Sequence, residues 1–171
     1  KAPLRIYSDD ELLIQEFGER LTPIIFEEIP PLFIRALLDT EDKRFFEHSG
    51  IDVVTLVNAT WQLVRNRGQI RTGASTITMQ LVKNISGDIE VRFLRKFKEM
   101  LLAVKIEREL SKEQILTLYL NIIPFGKHAF GIQAAANTYY GKDIDELSLA
   151  QLAMLAGIPQ APEAGNPING P

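Results

Sequence analysis

The chain has no cysteine among its 171 residues, which excludes a disulfide framework and a thiolate metal site. Histidine is nearly as scarce, because His48 and His128 are the only two, so a histidine-rich metal site is excluded as well. No apolar run approaches the roughly 18 residues that span a bilayer, and no signal peptide is recognisable. The net charge of -3 gives no electrostatic argument for a nucleic-acid partner.

What remains is an ordinary globular composition, with 46% apolar and 24% charged residues, in a chain long enough for one domain with a hydrophobic core. The chain begins at Lys1 instead of a methionine, and residues 164–171 are rich in glycine, proline and asparagine. We therefore expect a domain cut from a longer protein, with an anchor or a second domain beyond either end.

Hydrophobic spacing and capping signals predict a mainly α-helical fold with a small amount of strand near the N-terminus. Residues 1–29 form a lead-in segment with a short hairpin, residues 30–160 the domain proper, and residues 161–171 the start of a linker. Two capping boxes, at Ser111 and Ser148, mark helix starts. The predicted helices begin at Pro31, near Val53, after Gly73, at about Glu90, at Ser111, at Ala129 and at Ser148.

Residues 41–50, with the sequence E-D-K-R-F-F-E-H-S-G, are the most informative segment. Two carboxylates, two aromatic rings and a histidine lie together, as happens where a carboxylate is positioned beside a partly apolar cleft. The alternative is an acidic pair that ends a helix and a phenylalanine pair in the core.

Three further groups of residues could meet this segment. Ser75, Thr76, Gln80 and Lys83 belong to one predicted helix, and Lys83 alone could be an ordinary solvated lysine. A cationic run of Arg92, Arg95, Lys96 and Lys98 ends in Glu99, although Arg95 and Glu99 read alone are an ordinary helical pair, worth about 0.3–0.5 kcal/mol. The third group is the helix end at residues 119–121.

Five strings of the sequence occur in a recognisable order, at residues 41–50, 73–80, 95–99, 115–121 and 134–167. Together they resemble the signatures of the peptidoglycan glycosyltransferase domain of class A penicillin-binding proteins, glycosyltransferase family 51. The first resembles E-D-x-x-F-x-x-H-x-G, the second G-x-S-T-I-T-Q-Q and the third R-K-x-x-E. One string is weak evidence, but five in register cover nearly the whole chain.

The resemblance implies a lysozyme-like helical fold and an enzyme that polymerises lipid II into β-1,4 glycan strands, with inversion and release of undecaprenyl pyrophosphate. It implies a domain on the outer side of the cytoplasmic membrane, an anchoring N-terminal helix and a covalently linked transpeptidase domain. The partners would be lipid II, the growing glycan strand and the membrane surface, with no nucleic acid. Phosphoglycolipid inhibitors of the moenomycin type are expected to bind near Lys83 and Glu99.

The resemblance also implies residue roles. Glu41 is the catalytic base beside an apolar wall such as Phe45, and Glu99 is the second carboxylate, which either orients the cations or holds a divalent metal, Mg or Mn, against the pyrophosphate. Asp42 supports the site, and His48 is structural. The residues expected to bind substrate are Asp42, Phe45, Ser75, Thr76, Gln80, Lys83, Arg92 and Arg95.

Residues 53–71 correspond to a flexible, membrane-facing flap in this family. Val53, Val57 and Trp61 would then contact the membrane, whereas an ordinary helix would bury the same stripe in its core. The sequence departs from the family pattern twice. Met79 replaces a glutamine of the second signature, and Val91 replaces an arginine whose role could pass to Arg92.

Two other functions are compatible with parts of the sequence. A lysozyme-type lytic glycosidase would also be helical with one key glutamate, but it has no use for cations that hold a pyrophosphate. A membrane-proximal helical scaffold without catalysis would be indifferent to the loss of the Glu41 carboxylate.

Overall fold

The computed structural model describes residues 7–8, 11–12, 23–65, 75–86 and 92–160. This part of the chain contains seven α-helices and one two-stranded antiparallel ribbon, which confirms the mainly α-helical, lysozyme-like class of fold. Strands β1 (Tyr7–Ser8) and β2 (Glu11–Leu12) form the ribbon and confirm the small amount of strand predicted near the N-terminus. The linker predicted at residues 161–171 lies outside the described residues.

The helices follow the predicted order. They are α1 (Pro31–Glu41), α2 (Val53–Arg65), α3 (Ile77–Ser86), α4 (Arg92–Glu109), α5 (Lys112–Ile122), α6 (Ile132–Tyr140) and α7 (Leu149–Gly157). Pro31 begins α1 at a position where a missing N–H has no cost. The capping boxes at Ser111 and Ser148 are both formed, each with its side chain accepting from the backbone N–H three residues on.

One predicted boundary is wrong. The helix expected from Ala129 begins only at Ile132, because Lys127 and His128 adopt positive φ angles of 46° and 59° in a tight turn. The turn brings Phe130 beside Pro124 as an isolated β-bridge. Gly131 follows at φ 82° and donates its N–H to the carbonyl of Ile123, so the helix cannot begin before it.

Helix α3 is the centre of the packing that matters for the site, because it contacts both α4 and α5, while α1 packs against α7. Its residues Ile77 and Leu81 join the main core, together with Phe33 of α1 and Phe45 of the loop that follows α1. Met79 and Val82 turn the other way and pack against Ala103 of α4 in a second, smaller cluster. Met79, which stands where the second signature has a glutamine, therefore faces the core between α3 and α4.

Gly50 sets the distance between the loop after α1 and helix α4. Its φ is 93°, and a Cβ atom on it would lie 2.7 Å from the backbone of Ala103. The Gly50 carbonyl in turn accepts a 2.7 Å hydrogen bond from the hydroxyl of Thr76, just before α3. A glycine is therefore required where this loop crosses α4, one helical turn from Glu99.

Candidate active site

Glu41 is the last residue of α1, and its side chain lies half-buried beside α3. Its Oε2 accepts a 2.8 Å hydrogen bond from Nε2 of Gln80, whereas Oε1 is buried with no partner among the described residues. Burial raises the pKa of Glu41, the hydrogen bond from Gln80 opposes that rise, and the charge of Asp42 adds to it. A carboxyl group whose pKa is raised in this way is suited to exchanging a proton.

Gln80 connects Glu41 to a third residue. Its Oε1 accepts a 2.9 Å hydrogen bond from the hydroxyl of Tyr119 on α5, a side chain with no exposed surface. Burial, together with the charges of Glu41 and Asp42, raises the pKa of Tyr119 far above its usual range. The phenol is therefore protonated at neutral pH.

Asp42 holds the loop after α1 against α3. It is buried, accepts from Nε2 of His48 at 3.0 Å through Oδ2, and accepts the backbone N–H of Ile77 at 2.9 Å through the same oxygen. His48 in turn accepts the N–H of Gly50 through Nδ1 at 3.2 Å. That bond leaves the ring proton on Nε2, so His48 is a structural donor to Asp42.

Thr76 belongs to the same scaffold. Its buried hydroxyl donates to the Gly50 carbonyl and accepts the N–H of Met79 at 3.2 Å, which caps the start of α3. Phe45 is fully buried, with the ammonium of Lys112 lying 4.4 Å from its ring centre. Asp42, Phe45 and Thr76 are all buried, and their expected contact with substrate stays a prediction.

Glu99 lies in a different setting on α4. Its side chain is 8% exposed and faces two cations, with Nε of Arg95 at 3.5 Å and Nζ of Lys96 at 3.3 Å. Nζ of Lys96 also donates to the hydroxyl of Ser75 at 2.6 Å. Ser75 and Gln80 thus connect the start of α3 to both carboxylates, Ser75 through Lys96 and Gln80 directly.

The described residues do not favour a metal ion at Glu99. They contain no group of three histidine, aspartate or glutamate side chains able to hold one. Both oxygens of Glu99 already face cations, which disfavours a further cation at the same carboxylate. The described side chains hold the Glu99 carboxylate with Arg95 and Lys96, and the divalent metal expected at Glu99 stays a prediction.

The remaining predicted residues are placed as follows. Lys83 is exposed on α3, one turn beyond Gln80. Arg92 is the first residue of α4, but its side chain lies outside the described part, so its suggested replacement of the arginine that Val91 displaces stays a prediction. Lys96 and Tyr119 were named only within the groups that could meet residues 41–50, without a role in the site. Their neighbours in the sequence gave a signal, since Lys96 adjoins Arg95 and Tyr119 lies in the fourth signature.

Helix α2 carries exposed apolar side chains. Val53, Val57 and Trp61 are 64%, 60% and 66% exposed, at helical spacing on one side of the helix. These values rule out the alternative in which this stripe is core. Residues 66–71 of the predicted flap lie outside the described residues, and no described helix is long and apolar enough to cross a bilayer.

A half-buried glutamate and a second, cation-held carboxylate in one helical domain are compatible with the paired carboxylates of enzymes that make or break glycosidic bonds. The sequence profile of the transglycosylase family matches residues 10–171, so the chain belongs to this family. It is 54% identical to penicillin-binding protein 1A of Pseudomonas aeruginosa over 99% of the chain and 21% of that relative. It is 44% identical to penicillin-binding protein 1A of Escherichia coli over 97% of the chain and 20% of that relative.

The protein of the same name from Vibrio cholerae is 42% identical over 98% of the chain. The chain thus spans about one fifth of the length of the curated relatives it matches.

Proposed function

We propose that the chain polymerises lipid II, the undecaprenyl-pyrophosphate-linked disaccharide-peptide, into β-1,4 glycan strands. The observation that carries the proposal is the half-buried Glu41 carboxylate, whose pKa is raised, with one oxygen bound by Gln80 and the other without a partner among the described residues. The free oxygen has the capacity to accept a proton from a sugar hydroxyl, which is a poor nucleophile without a base.

The proposed reaction is a single displacement. Glu41 takes the proton of the acceptor 4-hydroxyl as its oxygen forms a bond to C1 of the donor sugar. The bond between C1 and the pyrophosphate oxygen breaks, and the pyrophosphate leaves with the electron pair. Because attack and departure occur on opposite faces of the ring, an α-linked donor gives a β-linked product.

The cations beside Glu99 suit the leaving group. A departing pyrophosphate gathers negative charge, which fixed cations stabilise. Arg95 and Lys96 are partly exposed, so each has surface left for a ligand, and both are held in place by Glu99. Lys83, exposed on α3, adds a third positive charge beyond Gln80. A lytic glycosidase releases no pyrophosphate and gains nothing from these cations.

We further propose that α2 lies against the outer surface of the cytoplasmic membrane, where the lipid tail of the substrate is anchored. An amphipathic helix with exposed Val53, Val57 and Trp61, ending in Arg65, suits an anionic interface. Trp61→Ser is expected to reduce sedimentation with anionic phospholipid vesicles severalfold. Leu149→Ser is the matched control, because Leu149 is 63% exposed on α7; equal binding by both variants would argue against this surface.

The relatives are named penicillin-binding proteins and are about five times longer than this chain. We propose that in the complete protein the glycosyltransferase is covalently linked to a penicillin-binding transpeptidase, which crosslinks the strands that this domain makes.

Polymerisation of labelled lipid II by the wild type and by Glu41→Gln tests the activity and its base. We expect glycan polymer from the wild type and a loss of about 10²–10⁴-fold in the variant, the usual contribution of a general base. Circular dichroism controls for folding. Polymer from both proteins would remove Glu41 as the base, and clearing of cell-wall suspensions by the wild type without polymer from lipid II would instead indicate the glycosidase.

A further inference from the structure

Tyr119 has a buried hydroxyl that hydrophobic packing does not require. Its ring fills the main core between α3 and α5, a task that phenylalanine would perform. A buried hydroxyl costs free energy unless it is hydrogen-bonded, and this one is bonded to Gln80, the residue that contacts Glu41.

The hydrogen bonds from Tyr119 to Gln80 and from Gln80 to Glu41 have a direction. An amide has one end that accepts and one that donates, so whichever end faces Tyr119 determines the end that faces Glu41. The phenol donates to Oε1 of Gln80 at 2.9 Å, and Nε2 of Gln80 then donates to Glu41 at 2.8 Å. With the amide reversed, Oε1 would face the carboxylate, a contact that is repulsive unless Glu41 is protonated.

The orientation of Gln80 therefore bears on the ionisation of Glu41. A hydrogen bond donated to the ionised carboxylate favours that form and opposes the effect of burial. A carboxylate base must be ionised before it can accept a proton. An amide held in this orientation therefore increases the fraction of enzyme molecules in which Glu41 is ionised at a given pH.

We propose that Tyr119 is a positioning residue for the base, whose hydroxyl fixes the amide of Gln80 so that it donates to Glu41. This inference rests on the proposed function, in which Glu41 accepts the proton of the sugar hydroxyl. Tyr119 touches no reacting atom in this role and acts only through Gln80.

Other groups near Glu41 do not replace this effect. Asp42, on the same loop, repels the ionised form and is itself occupied by His48 and Ile77. Helix α7, packed against α1, has no titratable residue. On α3 the nearest cation is the exposed Lys83, and the charges of α4 next to Ser75 are paired with Glu99. Among the described residues, Gln80 is the hydrogen-bond donor to Glu41.

The test is the pH profile of kcat/KM for lipid II polymerisation by Tyr119→Phe. We expect the acidic limb to move to higher pH, with a loss of about threefold to tenfold at neutral pH that recovers at alkaline pH. The effect should fall on kcat and leave KM unchanged. Tyr140→Phe is the matched control, because that hydroxyl lies 3.7 Å from the sulfur of Met154 and away from the site, so its profile should equal that of the wild type.

Gln80→Leu removes the amide that connects Tyr119 to Glu41. This test does not depend on whether the Tyr119 variant folds. It should move the acidic limb in the same direction, and adding Tyr119→Phe to it should move the limb no further. If the wild type is active, two results would overturn this inference and leave the proposed function standing. One is a loss of kcat/KM that is equal at every pH, and the other is an acidic limb that does not move in either single variant. A wild type that makes no polymer would overturn the proposed function and this inference with it.

Discussion

The two carboxylates of the site, Glu41 and Glu99, lie in opposite chemical surroundings although the same short segment, Ser75 to Gln80, contacts both regions. Glu41 meets a neutral amide, and one of its oxygens is left without a partner among the described residues. Glu99 faces a guanidinium and an ammonium group. Burial disfavours the ionised form of the first carboxylate and raises its pKa, whereas the second carboxylate is held between two cations.

The contrast assigns two roles. When one site contains two carboxylates, the environment that disfavours the charge marks the proton-exchanging group. The carboxylate that is paired with cations fixes the direction in which those cations point. On this basis we propose that Glu41 is the base and that Glu99 orients Arg95 and Lys96 toward the pyrophosphate.

After the loss of rate expected from Glu41→Gln, the next largest effect is expected from Glu99→Gln. Removing the charge between Arg95 and Lys96 should weaken donor binding by about 10–100-fold, the scale of a lost hydrogen bond to a charged group. The acidic limb of the pH profile should stay where it is in the wild type. Glu109→Gln, on an exposed position of the same helix, is the control; a moved acidic limb in Glu99→Gln would instead make Glu99 part of the proton transfer.

A smaller effect is expected from Ser75→Ala. Lys96 would lose its 2.6 Å contact with the Ser75 hydroxyl and keep the one with Glu99. We expect KM for lipid II to rise about twofold to tenfold with kcat nearly unchanged, as measured by steady-state polymerisation. Ser49→Ala, at an exposed position, should change neither. A fall in kcat alone would place Ser75 with the base and not with the cations.

The smallest effect concerns stability. Because burial raises the folded-state pKa of Glu41 above its ordinary 4.5, the ionised carboxylate destabilises the folded protein at neutral pH. Glu41→Gln should therefore melt slightly higher than the wild type at neutral pH. The difference should shrink as the pH falls through the folded-state pKa and vanish below the ordinary value, where the wild-type carboxyl is protonated in both states. Differential scanning calorimetry across this range would show a constant or inverted difference if the burial argument were wrong.

Helix starts were predictable wherever the signal is local. Ser111 and Ser148 each cap a helix through a side chain three residues from its partner, so sequence spacing alone is sufficient. The start of α6 was not predictable in this way. It depends on the contact of Phe130 with Pro124 and on the hydrogen bond from Gly131 to Ile123, both of which exist only in the folded chain.

In the site, too, contacts within one helix were predictable from the sequence and contacts between helices were not. The spacing of Arg95 and Glu99 on one helix predicted their pairing, and the pairing is formed. The bonds that join Glu41, Gln80 and Tyr119 each link residues 39 positions apart, so they depend on how α1, α3 and α5 pack. The bonds of Asp42 to Ile77 and of Thr76 to Gly50 likewise join residues 35 and 26 positions apart, so they also depend on the packing of the folded chain.

The most direct test of the contrast measures lipid II binding and the single-turnover rate of bound lipid II for both Glu41→Gln and Glu99→Gln. If the two carboxylates have these separate roles, one variant should lose mainly rate and the other mainly binding. Glu41→Gln should bind lipid II as tightly as the wild type and turn it over about 10²–10⁴-fold more slowly, whereas Glu99→Gln should bind it more weakly with a smaller loss of rate once it is bound. Equal losses of binding and of rate in both variants would contradict the assignment of one carboxylate to proton transfer and the other to the cations.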